Sequence, residues 1–119
     1  MLLLAAGCGG RNGMPMPPAA PTPAVTASAY ILPGAASLGA FAFGDEPIVI
    51  YKGENLRWVN ADMLAHRIAA DSPDETDFRG TNELPGGGQQ SFTLNKLGTT
   101  KIHCTIHPSM TGTLIVREH

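Results

Sequence analysis

Cys104, His107 and Met110 stand three apart in the stretch Cys104-Thr105-Ile106-His107-Pro108-Ser109-Met110, and a second imidazole, His66, lies far upstream in a separate apolar stretch. Together they offer a thiol, two imidazoles and a thioether. The two sulfur donors are soft and favour copper(I), whereas imidazole also suits copper(II). A His2Cys group with a weak, long methionine is the set expected of a blue-copper electron-transfer site, able to hold both oxidation states. The cysteine would bind as thiolate and the histidines as neutral rings, so metal loading is expected to weaken at low pH. Zinc fits poorly, because methionine is not among its usual ligands.

Each of these residues also has an ordinary structural role. A lone cysteine is more often a buried small hydrophobe. His66, beside Leu64 and Ala65, could be a satisfied, partly buried imidazole; His107 could be a loop residue and Met110 a core filler. A nucleophile–base pair of Cys104 and His107 would need an orienting third group and an oxyanion motif, and neither is identifiable. His103 directly precedes Cys104 in a strand-like run, so its side chain should point to the opposite face and not to a shared metal. His119 is assigned no role. A copper enzyme such as an oxidase would need further ligands, and only His103 and His119 remain.

The rest of the chain supplies short elements to hold this set. Charged residues are 15% of the 119, below the usual quarter, and 14 glycines and 10 prolines punctuate the sequence, which points to an apolar, turn-rich, all-β domain. The net charge of −2 gives no electrostatic reason to expect nucleic acid as a partner. Strand-like runs are read at Ala29–Leu32, Ser37–Phe43, Ile48–Tyr51, Leu56–Val59, Arg67–Ala70 with His66 at its head, Ser91–Leu94, Lys101–Cys104 and Thr113–Val116. Short runs broken by frequent turns suggest a β-sandwich. One helical turn is allowed between Asp71 and Gly80.

The first residues read as an address. Met1 to Ala6 is apolar but far short of the roughly 20 residues that span a bilayer, and it leads into Ala5-Ala6-Gly7-Cys8. That box resembles the cleavage site of a bacterial lipoprotein signal, which would make Cys8 a lipidated first residue of the mature chain. A basic segment before the apolar run is missing and the run is short, so the true start is expected upstream of Met1. Residues 1–8 are thus expected to be a signal remnant, 9–27 a disordered Pro/Gly/Ala-rich tether, and 28–119 the folded domain. Lipidation would also remove Cys8 from any disulfide with Cys104.

From about Tyr30 to Glu118 the chain resembles a small cupredoxin of the plastocyanin, pseudoazurin and amicyanin group. The residues that carry the likeness are Gly53-Glu54-Asn55 leading into Trp58-Val59-Asn60, His66 after a short loop, and Leu84-Pro85-Gly86-Gly87 before Ser91-Phe92-Thr93. Gly98-Thr99 opens the strand ending in Cys104, and His107-Pro108-Ser109-Met110-Thr111-Gly112 closes the set. The spacing after Cys104 is similar to the short ligand loop of amicyanin. This resemblance implies a Greek-key β-sandwich holding one type 1 copper ion on His66, Cys104, His107 and Met110, with backbone amides of the 60–65 loop and the Thr105 region as supporting donors. It implies a monomeric electron carrier, not an enzyme, with His107 near the surface inside an apolar patch of Met63, Leu64, Pro85, Ile106 and Pro108. Its partners would be redox proteins such as a c-type cytochrome or a membrane oxidoreductase, met at the bacterial envelope in the periplasm or another extracytoplasmic compartment. A copper storage or delivery protein is the alternative, although such sites tend to be exposed and methionine-rich. Asp71, Asp74, Glu75 and Asp77 form the densest acidic group, read as a solvated loop before a docking patch. Arg67, directly after His66, departs from the small or polar residue of the relatives.

Overall fold

The computed structural model describes residues 26–119, so Cys8 and the tether up to residue 25 lie outside it. Seven strands form two sheets. In chain order they are β1 (Thr26–Ile31), β2 (Ile48–Tyr51), β3 (Asn55–Asn60), β4 (Ile68–Ala70), β5 (Gln89–Thr93), β6 (Gly98–Cys104) and β7 (Thr111–Arg117). One sheet has the order β1-β3-β5 and the other β2-β7-β6-β4. β1 runs parallel to β3 and β2 parallel to β7, while the remaining pairs are antiparallel. The result is the β-sandwich that the alternation and turn spacing predict.

Period-two alternation decides what each strand gives to the core. Along β3, Leu56, Trp58 and Asn60 are buried while Arg57 faces water; along β6, Thr100, Ile102 and Cys104 are buried and Lys101 is exposed. Trp58 fills the middle of the sandwich. Its ring meets Phe43 edge-on at 5.5 Å and lies over Phe78 at 5.9 Å, and Phe78 in turn meets Phe92 at 5.1 Å. The Trp58 Nε1–H has no hydrogen-bond partner, the one such orphan among buried side chains of the described residues.

Three expectations change. The run Ser37–Phe43 is no strand: two 3-10 turns, Ala35–Ser37 and Gly39–Phe41, occupy it. Gly34, Gly39 and Gly44 all take positive φ there, and the amides of Ser37, Leu38, Phe41 and Ala42 bond to the carbonyls three residues back. Local i+3 bonding therefore satisfies backbone that a ladder would otherwise have to pair. β1 also begins at Thr26, two residues inside the segment expected to be tether. The span Asp71–Gly80 contains turns and bends but no helical turn.

The register fixes which strand ends meet. Ile31 pairs with Asn60, Val59 with Gln89, Ile68 with Cys104 and His103 with Thr111. The end of β3, the start of β4, the end of β6 and the start of β7 therefore gather at one pole. Thr26 pairs with Asn55 at the other pole, where Lys52 N–H also bonds the Arg117 carbonyl.

Candidate metal centre

His66 comes from the β3–β4 connection and is pinned through its backbone, which exchanges two hydrogen bonds with Leu84 at 3.0 and 2.7 Å. The turn that precedes it is organised by Asn60, which is fully buried. The Asn60 carboxamide nitrogen donates to the carbonyls of Leu64, Leu84 and Pro85 at 2.8–3.1 Å, and its oxygen accepts the Asp62 N–H at 3.0 Å. One side chain thus ties the His66 turn to the 84–85 segment. Gly86 allows that approach, because a Cβ there would sit 3.0 Å from the carbonyl oxygens of Asp62 and Met63.

Cys104 ends β6 and His107 sits in the tight loop that follows. That loop closes on itself: Cys104 N–H donates to the Met110 carbonyl at 3.0 Å and Met110 N–H to the His107 carbonyl at 2.9 Å. Thr105 N–H donates to the Arg67 carbonyl at 2.8 Å, a direct bond between the segments bearing His66 and Cys104. Of the amides expected to support the metal, that of Thr105 thus holds the two segments against each other. Met110 is fully buried on the same loop.

These constraints bring three donors together. One ligand atom from each of His66, Cys104 and His107 falls within 4.8 Å of the others, the only such group of three among the described residues. Cys104 Sγ lies 3.6 Å from His66 Nδ1 and 4.0 Å from His107 Nδ1. A metal about 2.0 Å from each nitrogen and about 2.3 Å from sulfur, at bond angles of about 110–120°, would place sulfur and nitrogen about 3.5–3.8 Å apart. The Cys104–His66 separation falls in that range and the Cys104–His107 separation lies just beyond it, so a shift of a few tenths of an ångström in the His107 ring closes the set on one ion. The thiol is free and fully buried, so it is protected from competing oxidation and poised as a soft ligand. His66 is fully buried and His107 only partly so, which leaves His107 as the ring nearest solvent. His103 points the other way, toward Asp71, whose Oδ1 lies 2.5 Å from its Nδ1. His119 stacks on Tyr51, away from the site.

Asp62 is the residue that the sequence alone did not single out. Its carboxylate accepts the His66 Nε2–H at 2.7 Å, with 8% of Asp62 exposed. With its proton on Nε2, the His66 ring turns the Nδ1 lone pair toward Cys104. Gly34 N–H and Met63 N–H also donate to Asp62 Oδ1. The His66 hydrogen bond, followed by that from Gly34, holds the Asp62 carboxyl below its ordinary value of 3.8, against the opposing effect of burial. A carboxylate four residues before a candidate histidine is the one sequence signal that could have found it.

Two expected results follow from Asp62. Asp62→Ala frees the His66 ring and should weaken copper retention about 10–100-fold, measured by competition with a chelator. In the metal-free protein, a carboxyl whose folded pKa lies below 3.8 stabilises the fold fully above that value. The contribution disappears as pH falls through the lower folded value, because the unfolded chain then binds the extra proton. The urea midpoint of the metal-free protein should therefore fall as the pH is taken below about 4, and the fall should be smaller in Asp62→Asn.

The comparisons with known proteins agree in family and in fold. The sequence matches the copper-binding proteins of the plastocyanin/azurin family over residues 33–117. It is 32% identical over 71 residues to amicyanin of Paracoccus versutus, a match that covers 58% of this chain and 53% of amicyanin. The chain thus spans about half the length of that relative. Among solved structures it resembles the purple cupredoxin of Nitrosopumilus maritimus, with a TM-score of 0.65 at 20% identity over 76% of this chain and 98% of that one. The reduced state of an amicyanin variant gives a TM-score of 0.57 at 18% identity, over 79% of this chain and 82% of that one.

Proposed function

Because the chain belongs to the plastocyanin/azurin family of copper-binding, electron-transfer proteins, we propose that it passes single electrons between protein partners through one type 1 copper ion. The ligands are His66, Cys104 and His107, with Met110 as a weak fourth. The observation that carries this reading is the convergence of the first three within 4.8 Å at one pole of a rigid sandwich.

Copper, when bound, supplies the one-electron redox chemistry. The chain's own part is to hold donors that need little rearrangement. Cys104 is fixed at the end of a paired strand, His66 by its Leu84 bridge and Asp62, and His107 by the closed loop to Met110. The protein itself makes and breaks no bonds, so it is an electron carrier and not an enzyme. His107 is the partly exposed ring and lies 5.0 Å from the His66 ring, centroid to centroid. Met63, Leu64, Pro85, Ile106 and Pro108 are all exposed, with Met63 at 92%. They furnish an apolar face on which a redox protein, such as a c-type cytochrome or a membrane oxidoreductase, would dock.

In this reading the monomeric carrier works at the extracytoplasmic face of a bacterial membrane, anchored by lipid on Cys8. The support is the Ala5-Ala6-Gly7-Cys8 box and the Pro-rich segment after it. A tether raises the effective concentration near membrane partners without any new contact. Storage or delivery fits less well, since His66 and Cys104 are both fully buried, whereas release of metal needs an accessible site.

The test is the visible spectrum of the purified protein after addition of Cu(II). An intense thiolate-to-copper band that bleaches reversibly with ascorbate is the expected result. A colourless complex overturns the assignment. Labelling with palmitate in a bacterial host, lost on Cys8→Ser, checks the anchor separately.

A further inference from the structure

Along β4, at the edge of the four-stranded sheet and beside the metal centre, lies a hollow of about 310 Å³ that the copper site does not use. Arg67 and Arg79 line it, together with Thr105, Asn82, Ala69 and Gly80. Two arginines line one cavity in a chain whose net charge is −2, and no acidic residue lines it. We propose that this hollow binds a single oxyanion, a phosphate or a carboxylate, clasped by Arg67.

Arg67 is the centre of the argument. Its backbone is fixed by the bond from Thr105 N–H to its carbonyl, and its exposed side chain makes no ion pair among the described residues. A guanidinium presents a planar fork that matches a carboxylate or phosphate through two parallel hydrogen bonds. Arg79 does have a partner, Asp74 Oδ1 at 3.2 Å, but both side chains are largely exposed. Such a pair contributes little and yields readily to a better-placed anion. The Thr105 hydroxyl and Asn82 carboxamide make no hydrogen bond among the described residues, which leaves two neutral donors at the rim.

The space between them is held open by the backbone. Ala69 and Gly80 face each other across a bridge that edges the sheet, and they offer only one methyl group between them to occupy the hollow. Gly80 cannot be enlarged: its φ is +151°, and a Cβ there would lie 2.8 Å from the Ile68 carbonyl oxygen. An anion seated here would lie against residues that directly follow two candidate copper ligands, since Arg67 follows His66 and Thr105 follows Cys104.

The experiment is a titration of the full-length, nitrogen-15-labelled protein in its copper(I) form, followed by amide NMR at constant ionic strength. Inorganic phosphate and acetate are added in separate series, with chloride as the balancing anion. Saturable shifts at the amides of Arg67, Gly80, Asn82 and Thr105 are expected. Arg67→Gln should weaken the apparent affinity about tenfold, as expected for losing a charge-assisted partner. Saturation by phosphate alone assigns the site to a phosphoryl group, and saturation by acetate assigns it to a carboxylate such as a protein partner would present. Shifts that rise without saturating in both series, or an unchanged curve in Arg67→Gln, overturn the proposal.

Discussion

Cys104→Ser should remove the intense visible band of the copper-loaded protein altogether, while the metal-free domain stays folded. The band requires a thiolate, and a serine hydroxyl is neither soft nor ionised at neutral pH. Cys104 is the donor from which both imidazole nitrogens are measured, at 3.6 and 4.0 Å, so the other ligands cannot compensate. The fold is affected much less, because the replacement is nearly isosteric. Burying the new hydroxyl costs about 1–3 kcal/mol unless it finds a partner. A linked effect accompanies the spectrum. A ligand that binds only the folded state stabilises it by about 2.7 kcal/mol when its free concentration is about a hundred times the dissociation constant. Denaturant midpoints with and without copper should thus differ in the parent protein and coincide in Cys104→Ser. Full colour in the variant, or an equal copper-induced shift, would count against Cys104 as a ligand.

The second large effect lies in the core. Trp58→Ala should cost about 3–5 kcal/mol through lost apolar burial and the cavity left behind. Trp58 is fully buried and touches Phe43 on one side and Phe78 on the other, and neither ring can follow it inward without leaving its own neighbours. A small domain has only about 5–15 kcal/mol in total, so the variant sits near the threshold of unfolding. Trp58→Phe should cost clearly less, because it keeps much of the ring volume and removes an Nε1–H that has no partner. Urea melts of the metal-free proteins measure both. A Trp58→Phe variant as unstable as Trp58→Ala would show that indole volume, not the cavity's collapse, decides the cost.

Much of this molecule is legible in its residues because the strands are short and cleanly alternating. Ile48–Tyr51 is predicted and found with the same bounds, and Cys104 sits at a strand end as its spacing to His107 and Met110 demands. The three donors that converge, His66, Cys104 and His107, could be singled out because chemistry restricts them: few sites call for cysteine, two histidines and methionine together. What stays hidden depends on contacts between distant residues. Nothing local announces that Gly34 N–H would reach Asp62, 28 positions away, and the spacing of Asp62 to His66 becomes a signal only once that ring is taken as a ligand. The stretch Ser37–Phe43 misleads for the opposite reason. Its apolar residues suggest a strand, but three glycines at positive φ let the chain coil into 3-10 turns. Arg67 is conspicuous in the sequence, yet only the cavity beside it gives that departure a physical role.

The pairing of β1 with β3 has a consequence for how the molecule presents itself. Thr26 lies level with Asn55 and Ile31 with Asn60, so Thr26 is about 17 Å from the donor pole, five residue steps along a strand. Arg117, at the end of β7, returns to that same distal side. A linkage made at Thr26 itself, such as one to an electrode surface, would therefore grip the domain from behind. His107 would face away from the support. Immobilised in this orientation, the protein should exchange electrons readily with a soluble partner and slowly with the surface that holds it.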